Sequence, residues 1–335
     1  MTTRHAVEFV APFQVRTITE PCPEPQANEL LVETVATAVS AGTELLLYRG
    51  QMPADMPLDE TIDALADTAV QYPLRYGYAA TGRVIGVGEN VDKVWINRLV
   101  FAFYPHMSLF SVDKSAVVPV PAGLTAEEAL FLPNMETAVS FVMDGQPVIG
   151  EKVAVIGQGV VGVLTTAVLS QFPLADLIAV DFLPERLARA RQFGATQAVS
   201  PEALTPDFLA ANQVDLCFEL SGSPAGLDTA LALTGAHGRV VIGSWYGQKR
   251  HPINLGGKFH RAHQTLISSQ VSQLKPQWHG RWDKTRRLQT AWHMIKQTRP
   301  SALITHRYPF TQAAAAYDLL DQHPAQVGQI VFINE

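Results

Sequence analysis

The stretch Lys152–Gly162, KVAVIGQGVVG, constrains this chain more than any other. Val153 to Ile156 is a near-continuous apolar run, the pattern of a strand covered on both faces, and Gly157, Gly159 and Gly162 follow it in G-x-G-x-x-G spacing. The apolar run from Val160 and Val161 to Phe172 predicts a helix. In such a unit Gly157 permits a tight turn, Gly159 lets the backbone approach a pyrophosphate, and Gly162 lets helix and strand pack closely. The helix N-terminus then turns its unpaired N–H groups and positive dipole end toward the phosphates. Three glycines near a strand also make a plain turn, so the surrounding text decides. A second strand, Leu177–Val180, ends in Asp181, 19 residues beyond Gly162, where a ribose-binding carboxylate belongs. An Asp there accepts hydrogen bonds from the adenosine ribose hydroxyls and repels a 2′-phosphate, which predicts NAD(H) rather than NADP(H). The plain alternative for Asp181 is a solvated carboxylate at a strand end.

A chain of 335 residues exceeds the size at which a single core stops growing, so two domains are expected. Hydrophobic content of 47% with 17% charged residues is that of a well-cored soluble protein, and a net charge of −6 gives no general attraction for nucleic acid or anionic membrane. Cys22 and Cys217, far apart, argue against a disulfide scaffold and fit a reducing cytoplasm. The opening MTTRHAVEFVAPF lacks a signal-peptide core, and no apolar run reaches membrane-spanning length.

Before about residue 120 the text reads as short strands divided by Pro and Gly: Ala6–Val10, Phe13–Thr17, Glu29–Ala36, Thr81–Val87, Arg98–Tyr104 and Ser115–Pro119. Alternation in ELLVETVA and TGRVIGVG predicts a twisted, barrel-like antiparallel domain. One excursion interrupts it between Arg49 and Tyr72, where two prolines precede a helical-looking segment at Asp59–Asp67; a lid, a substrate wall and a surface insertion are all consistent with it. From about Pro133 strands and helices alternate: a helix at Pro184–Phe193, strands at Gln197–Val199 and 214–220, a helix at Ala225–Leu233, then strands at 238–245 and 265–271. That order predicts a doubly wound parallel sheet over 134–271. Residues 272–335, ending in a strand at Gln329–Ile333, are expected to return to the first domain, 1–133.

AGTELLLYRG at 41–50, YGYAATGRVIGVG at 76–88, the glycine-rich unit, and ALITHRYPF at 302–310 followed by AYDLL at 316–320 together resemble the medium-chain dehydrogenase/reductase superfamily, which contains the zinc alcohol dehydrogenases. The resemblance covers essentially the whole chain. It implies an α/β protein with a GroES-like β-barrel catalytic domain and a Rossmann domain, with nicotinamide and substrate meeting in the cleft between the two. Members with catalytic zinc carry Cys where this chain has Ala41, His at Tyr78, Glu at Ala79, and a later Cys or Glu near Pro133. The four-cysteine lobe of a structural zinc is also absent, since nothing between Tyr104 and Val117 is Cys. Zinc needs several N, S or O donors converging at about 2.0–2.3 Å, and Ala supplies none, so the expectation is a zinc-independent branch with no metal. The ten histidines form no recognisable ligand pair.

Without zinc, a hydrogen-bond donor has to steady the reacting oxygen. Thr43 matches the superfamily's Ser/Thr that contacts the substrate hydroxyl, and Tyr78 stands at the metal-ligand position itself. A phenol there can donate to a carbonyl oxygen, or hold an alcohol if the positive nicotinamide lowers its pKa from about 10. The plain alternatives are that Tyr78 fills space and that the Thr43 hydroxyl caps a turn at Ala41–Glu44. Glu44, His106 and Glu136 are further polar candidates for the substrate pocket, with local salt bridges, caps or backbone contacts as their structural alternatives, and Phe103 matches an apolar substrate wall.

For the cofactor, the resemblance sets Val161 against the nicotinamide, Thr137 near its far face and Arg186 on the adenosine ribose; a solvated helix position is the alternative for Arg186. Ser221 and Gly222 end the fourth strand, and Gly243, Ser244 and Trp245 end the fifth, where ligands of such sheets bind. The superfamily's pyrophosphate-binding Arg near the last strand is not matched in AQVGQIVF. The basic and aromatic stretch Lys275–Arg287 suits an anionic substrate, a solvated surface or a subunit contact. Three functions remain open: an NAD(H)-dependent alcohol dehydrogenase or carbonyl reductase, an enone or quinone reductase, and a catalytically silent NAD(H)-binding protein. A small-molecule substrate and a homodimer joined near Thr265–Val271 are expected; nucleic acid and membrane partners are not.

Overall fold

The computed structural model describes residues 2–53 and 70–334, so the segment expected to be helical at Asp59–Asp67 lies outside the described residues. The chain divides into two compact units, Met1–Pro133 with Arg299–Glu335, and Asn134–Thr298.

The first unit opens with a hairpin, β1 (Thr3–Ala11) and β2 (Gln14–Pro21). Strand β3 (Glu29–Ala38) leads into helix α1 (Ala41–Tyr48), and β4 (Ala80–Val87), β5 (Leu99–Ala102), β6 (Leu109–Asp113) and β7 (Val117–Pro119) follow. On β3 the alternation predicted from ELLVETVA is realised: Leu30, Val32 and Ala36 are buried, while Glu33 and Val35 face solvent. Leu30 and Val32 pack with Val84, Val100 and Phe110. β6, paired with β3, was not legible, because LFSVD is short and adjoins the irregular FYPHMS. Helix α2 (Ala126–Ala129) is held at its start by a capping box, the Thr125 hydroxyl accepting from the Glu128 N–H at 3.1 Å while Glu128 accepts the Thr125 N–H at 2.9 Å. Arg299 adds an ion pair to Glu128 at 2.9 Å.

The second unit runs from α3 (Leu132–Gly145), which starts at the end of the first, through β8 (Lys152–Ile156), α4 (Val160–Leu169), β9 (Asp176–Val180) and α5 (Pro184–Gln192). It continues with β10 (Gln197–Val199), α6 (Pro206–Ala211), β11 (Val214–Glu219), α7 (Gly226–Leu233), β12 (Thr234–Ile242), β13 (Thr265–Ser268) and α8 (Lys284–Thr298). Its six strands are all parallel in the order β10-β9-β8-β11-β12-β13, the doubly wound sheet predicted from the alternating text. Ala154, Ile156, Ile178, Val180, Cys217 and Val240 form one buried layer of it, which is why β8 reads as a continuous apolar run.

After α8 come β14 (Ile304–Pro309), α9 (Ala313–Gln322) and β15 (Gln329–Ile333). β15 pairs antiparallel with β3 and parallel with β14, so the first unit's sheet, β14-β15-β3-β4-β5-β7, is mixed rather than purely antiparallel. The chain returns to the first unit at Arg299, later than the boundary at 272 read from the sequence. Helix α8 stays with the second unit because Arg287, almost wholly buried, meets the equally buried Glu136 of α3 at 2.8 Å, and a buried guanidinium demands such a partner. Lys275 lies 3.5 Å from Asp144, so the basic stretch spends two of its charges internally.

The capping box yields the first expectation: Thr125→Ala lowers unfolding free energy by about 1 kcal/mol in a denaturant titration, with no change in nucleotide binding.

Candidate active site

In the second unit, Gly157 has φ +87° and its N–H donates to the Val180 carbonyl at 2.8 Å, locking the turn after β8 onto β9. A Cβ at 157 would stand 2.5 Å from Ser221 Cα, and one at 162 would stand 1.9 Å from the Gly157 carbonyl oxygen. Neither position admits a side chain. Gly159, which begins α4, is different: a Cβ there meets nothing within 4 Å. The fold itself does not need a glycine at 159, and the open space beside it, at a helix N-terminus, suits a phosphate group. Val160 and Val161, half-buried, form the first turn of α4.

Asp181 is buried at the end of β9 and oriented from both sides. Its Oδ2 accepts the Gln158 N–H at 2.7 Å and its Oδ1 accepts the Leu183 N–H at 3.0 Å, with Arg186 at 3.6 Å from Oδ2. A carboxylate has about four acceptor sites, so both oxygens keep capacity for ribose hydroxyls. Gln158, not singled out by sequence reasoning, braces the loop: its Nε2 donates to the Val155 carbonyl at 2.9 Å, and its Oε1 accepts from the Thr166 hydroxyl at 3.1 Å. These residues fit a dinucleotide.

The sheet's carboxyl edge brings Ser221, Gly222 and Ser244 together. The Gly222 N–H donates to Ser244 Oγ at 2.9 Å, and the fully buried Glu219 accepts from the Ser221 N–H at 2.9 Å and the Tyr246 hydroxyl at 2.6 Å. Burial and the Glu219 carboxylate push the Tyr246 phenol strongly up, so it remains a donor. Gly243 is required because a Cβ would lie 2.5 Å from both Phe141 and Leu220; Trp245 is exposed. On α3, Thr137 is half-buried. Beside it Glu136 is directed at Arg287, and burial pushes its carboxyl up against the opposing pull of that guanidinium. Glu136 is therefore bound inside the second unit rather than displayed as a free pocket carboxylate.

The first unit gathers a polar cluster at the start of α1. The residues Ala41–Glu44 begin a helix rather than a turn, and its N-cap is Ser40; the Thr43 hydroxyl makes no hydrogen bond among the described residues. Glu44 and His106 are both fully buried and face each other, His106 Nε2 lying 3.0 Å from Glu44 Oε2. The other ring nitrogen, Nδ1, meets the Thr37 hydroxyl at 2.7 Å. Glu44 also accepts the Ser40 N–H at 2.7 Å and the hydroxyl of Tyr317. Every polar atom of Glu44 and His106 is thus committed inside the protein, which takes both out of direct substrate contact. Above them the Ser40 hydroxyl is hydrogen-bonded to the hydroxyl of Tyr78, and both residues are half-buried. Phe103 packs on the same apolar cluster as Tyr78. Ser40 and Tyr317 were not found from sequence, although a serine directly ahead of a helical AGTELLLY is an N-cap signal.

Among the described residues, the first unit's side chains at the positions named for zinc ligands do not fit the metal. Ala41 and Ala79 carry no donor atom, Tyr78 is paired with Ser40, and no group of three or more His, Cys, Asp or Glu converges among the described residues.

Residues 160–286 match a family model described as zinc-binding dehydrogenase, a range that contains none of Ala41, Tyr78, Ala79 or Pro133. Among curated proteins, L-threonine 3-dehydrogenase of Bacillus subtilis is 24% identical over 354 residues, covering 93% of each chain. The (R,R)-butanediol dehydrogenase of the same organism is 27% identical over 278 residues, covering 72% of this chain and 78% of its own. Among solved structures, 2R,3R-butanediol dehydrogenase from B. subtilis superposes with a TM-score of 0.80 at 20% identity over 99% of this chain and 100% of its own. The chain is thus similar in sequence to these dehydrogenases over most of its length, and it shares the fold of the butanediol dehydrogenase. L-idonate 5-dehydrogenase from Escherichia coli shares the fold at a TM-score of 0.79 and 17% identity, over 99% of this chain and 98% of its own.

The second and third glycines of the cradle separate folding from binding. Gly159→Ala should leave the unfolding midpoint within about 1 kcal/mol of the parent while weakening NADH binding by tenfold or more in a fluorescence titration. Gly162→Ala should instead lower stability by about 1–3 kcal/mol, because its methyl overlaps the Gly157 carbonyl.

Proposed function

We propose that this chain is an NAD(H)-dependent, zinc-independent alcohol dehydrogenase or carbonyl reductase acting on a small-molecule alcohol or its carbonyl. The observation that carries the reading is the Tyr78 hydroxyl, hydrogen-bonded to Ser40, at the position where zinc-dependent members hold a His ligand. The curated relatives named above are dehydrogenases of hydroxyl-bearing small molecules, which supports the reaction class.

The bound nicotinamide supplies or accepts the hydride. The chain's residues do the rest. In reduction, Tyr78 donates its O–H to the carbonyl oxygen, and the proton passes to that oxygen as the carbon accepts hydride; in oxidation the phenol oxygen takes the proton back. Thr43, whose hydroxyl has no partner among the described residues, is assigned to the substrate hydroxyl. The glycine loop and the start of α4 hold the pyrophosphate, Asp181 holds the adenosine ribose with Arg186 beside it, and Thr137, Val160 and Val161 line the nicotinamide half. Ser221, Gly222, Gly243, Ser244 and Trp245 lie along the cofactor's path at the sheet's carboxyl edge. The open edge strand β13 supports a homodimer, and the two free cysteines support a reducing, cytoplasmic setting.

Metal removal tests the reading directly. After dialysis against 1,10-phenanthroline, turnover in a panel of diols, polyols, ketones and enones should be unchanged, and mass spectrometry of the active protein should find less than one zinc per ten chains. Activity that disappears on dialysis and returns with added zinc refutes it, and turnover confined to enones moves the chain to the conjugate-reductase class. Cofactor choice gives a separate expectation: Asp181→Ala raises KM for NAD+ by about tenfold or more and narrows the preference over NADP+, as expected for loss of a charged hydrogen-bond acceptor.

A further inference from the structure

Positive side chains are disfavoured in the first turn of a helix, where the unpaired N–H groups already present the positive end of the backbone dipole. Helix α8 breaks that rule. Its first turn, Lys284 to Arg287, holds three cations and no acid, and Arg281 stands just ahead of it. The acid directly before the helix, Asp283, is occupied by the helix itself: its Oδ1 accepts the Arg286 N–H at 2.7 Å and its carbonyl accepts the Arg287 N–H at 3.1 Å.

Two of these cations stay on the surface without a carboxylate. Arg281 and Arg286 make no ion pair among the described residues. Each lies instead on an indole, Arg281 at 5.5 Å from the centre of the Trp278 ring and Arg286 at 4.3 Å from that of Trp282, and Arg286 Nη1 donates to the Arg281 carbonyl. Arg287 turns inward. It is 2% exposed, yet both of its contacts with Glu136, Nε at 3.0 Å and Nη2 at 2.8 Å, fall on the same oxygen, Oε1. Its Nη1 is buried with no hydrogen-bond partner among the described residues, and Trp278 Nε1 is a second buried donor in the same state. An open donor on a buried guanidinium is costly, and neither nitrogen can act as an acceptor. What the segment lacks is therefore an acceptor that also carries negative charge. Water answers the open donors but not the charge.

We propose that the first turn of α8 is an oxyanion site, with Arg287 Nη1 as its inner donor and Arg286 as its outer one, and that it holds the carboxylate or phosphate group of an anionic alcohol or ketone substrate. The substrate half of this rests on the dehydrogenase reading given above; the anion site does not. Glu136, which carries Arg287, is next in sequence to Thr137, the residue assigned to the nicotinamide half of the cofactor. An anionic group held by Arg287 is thus held beside the reacting end of that cofactor. It takes no part in the bond changes, and serves as a handle that fixes which carbon is presented for hydride transfer.

Calorimetric titration of the full chain with inorganic phosphate, and separately with acetate, reads the site without a substrate. Saturating NADH is present throughout, so that the glycine cradle is filled. One saturable anion per chain is expected, and Arg286→Ala should weaken it about tenfold. Glu136→Gln/Arg287→Gln, which removes both members of the buried pair and strands no charge, should abolish saturation; should that variant not fold, Arg286→Ala and Trp278→Phe decide the matter by the same titration. Turnover is then compared within pairs that differ in a charged group, glycerol against glycerol 3-phosphate and propane-1,2-diol against lactate. The charged member should have a kcat/KM about tenfold or more above its partner, Arg286→Ala should shrink that ratio, and inorganic phosphate should compete with the charged substrate but not with NADH. The better of the two charged compounds tells phosphate from carboxylate. Absence of saturable binding, or binding that the variants leave unchanged, overturns the anion site. Saturable binding without any preference for the charged members overturns the substrate assignment. If phosphate binds as expected and no alcohol or ketone is turned over at all, the dehydrogenase reading falls and the anion site stands.

Discussion

A helix can begin against a strand only if something removes the side chains from the point of closest approach. Here the Gly162 Cα lies so near the Gly157 carbonyl that an added Cβ would come within 1.9 Å of the oxygen. That contact sets how α4 leaves β8, and thus where its unpaired N–H groups point. Other polar groups of the second unit are arranged around this exit. Gln158 brings Asp181 to the loop through its backbone N–H, and the carboxyl ends of β11 and β12 present Ser221, Gly222 and Ser244 beside it. A parallel sheet gathers these groups because every strand ends at the same edge.

The first unit solves a different problem, which is how to bury a carboxylate: the burial of Glu44 is tolerable because the Ser40 amide, His106 and Tyr317 all donate to it. The buried carboxylate of the second unit, Glu219, follows the same rule with Ser221 and Tyr246. In both units a buried acid orients neighbouring polar groups.

Much of the architecture was readable in advance because it rests on local periodicity. The glycine spacing, the continuous apolar run of β8 and the strand ending at Asp181 are near-neighbour patterns, and the structure has a parallel sheet built on them. β6 was missed because its partner β3 lies far back along the chain and leaves no periodic trace, and the parallel pairing of β14 with β15 across α9 was not read either. The late return at Arg299 was missed for a related reason: KPQWHGRWDKTRR reads as a surface stretch, and only the buried carboxylates Glu136 and Asp144 show where two of its charges go.

Residue types and spacing by themselves determined that a glycine-rich turn follows β8, that an acid follows β9, and that the side chains of Ala41 and Ala79 carry no donor atom. These follow from covalent facts: a glycine has no Cβ and an alanine no donor atom. Only the tertiary structure decided which polar residues are sealed in and which remain half-exposed. Glu44, His106 and Tyr317, separated by up to 273 positions, meet because α1, α9 and the His106 loop pack on one core, while the Ser40 hydroxyl turns to Tyr78 instead of capping its own helix. Hydrogen-bond satisfaction in a buried space is a property of the whole fold, and no window of sequence contains it.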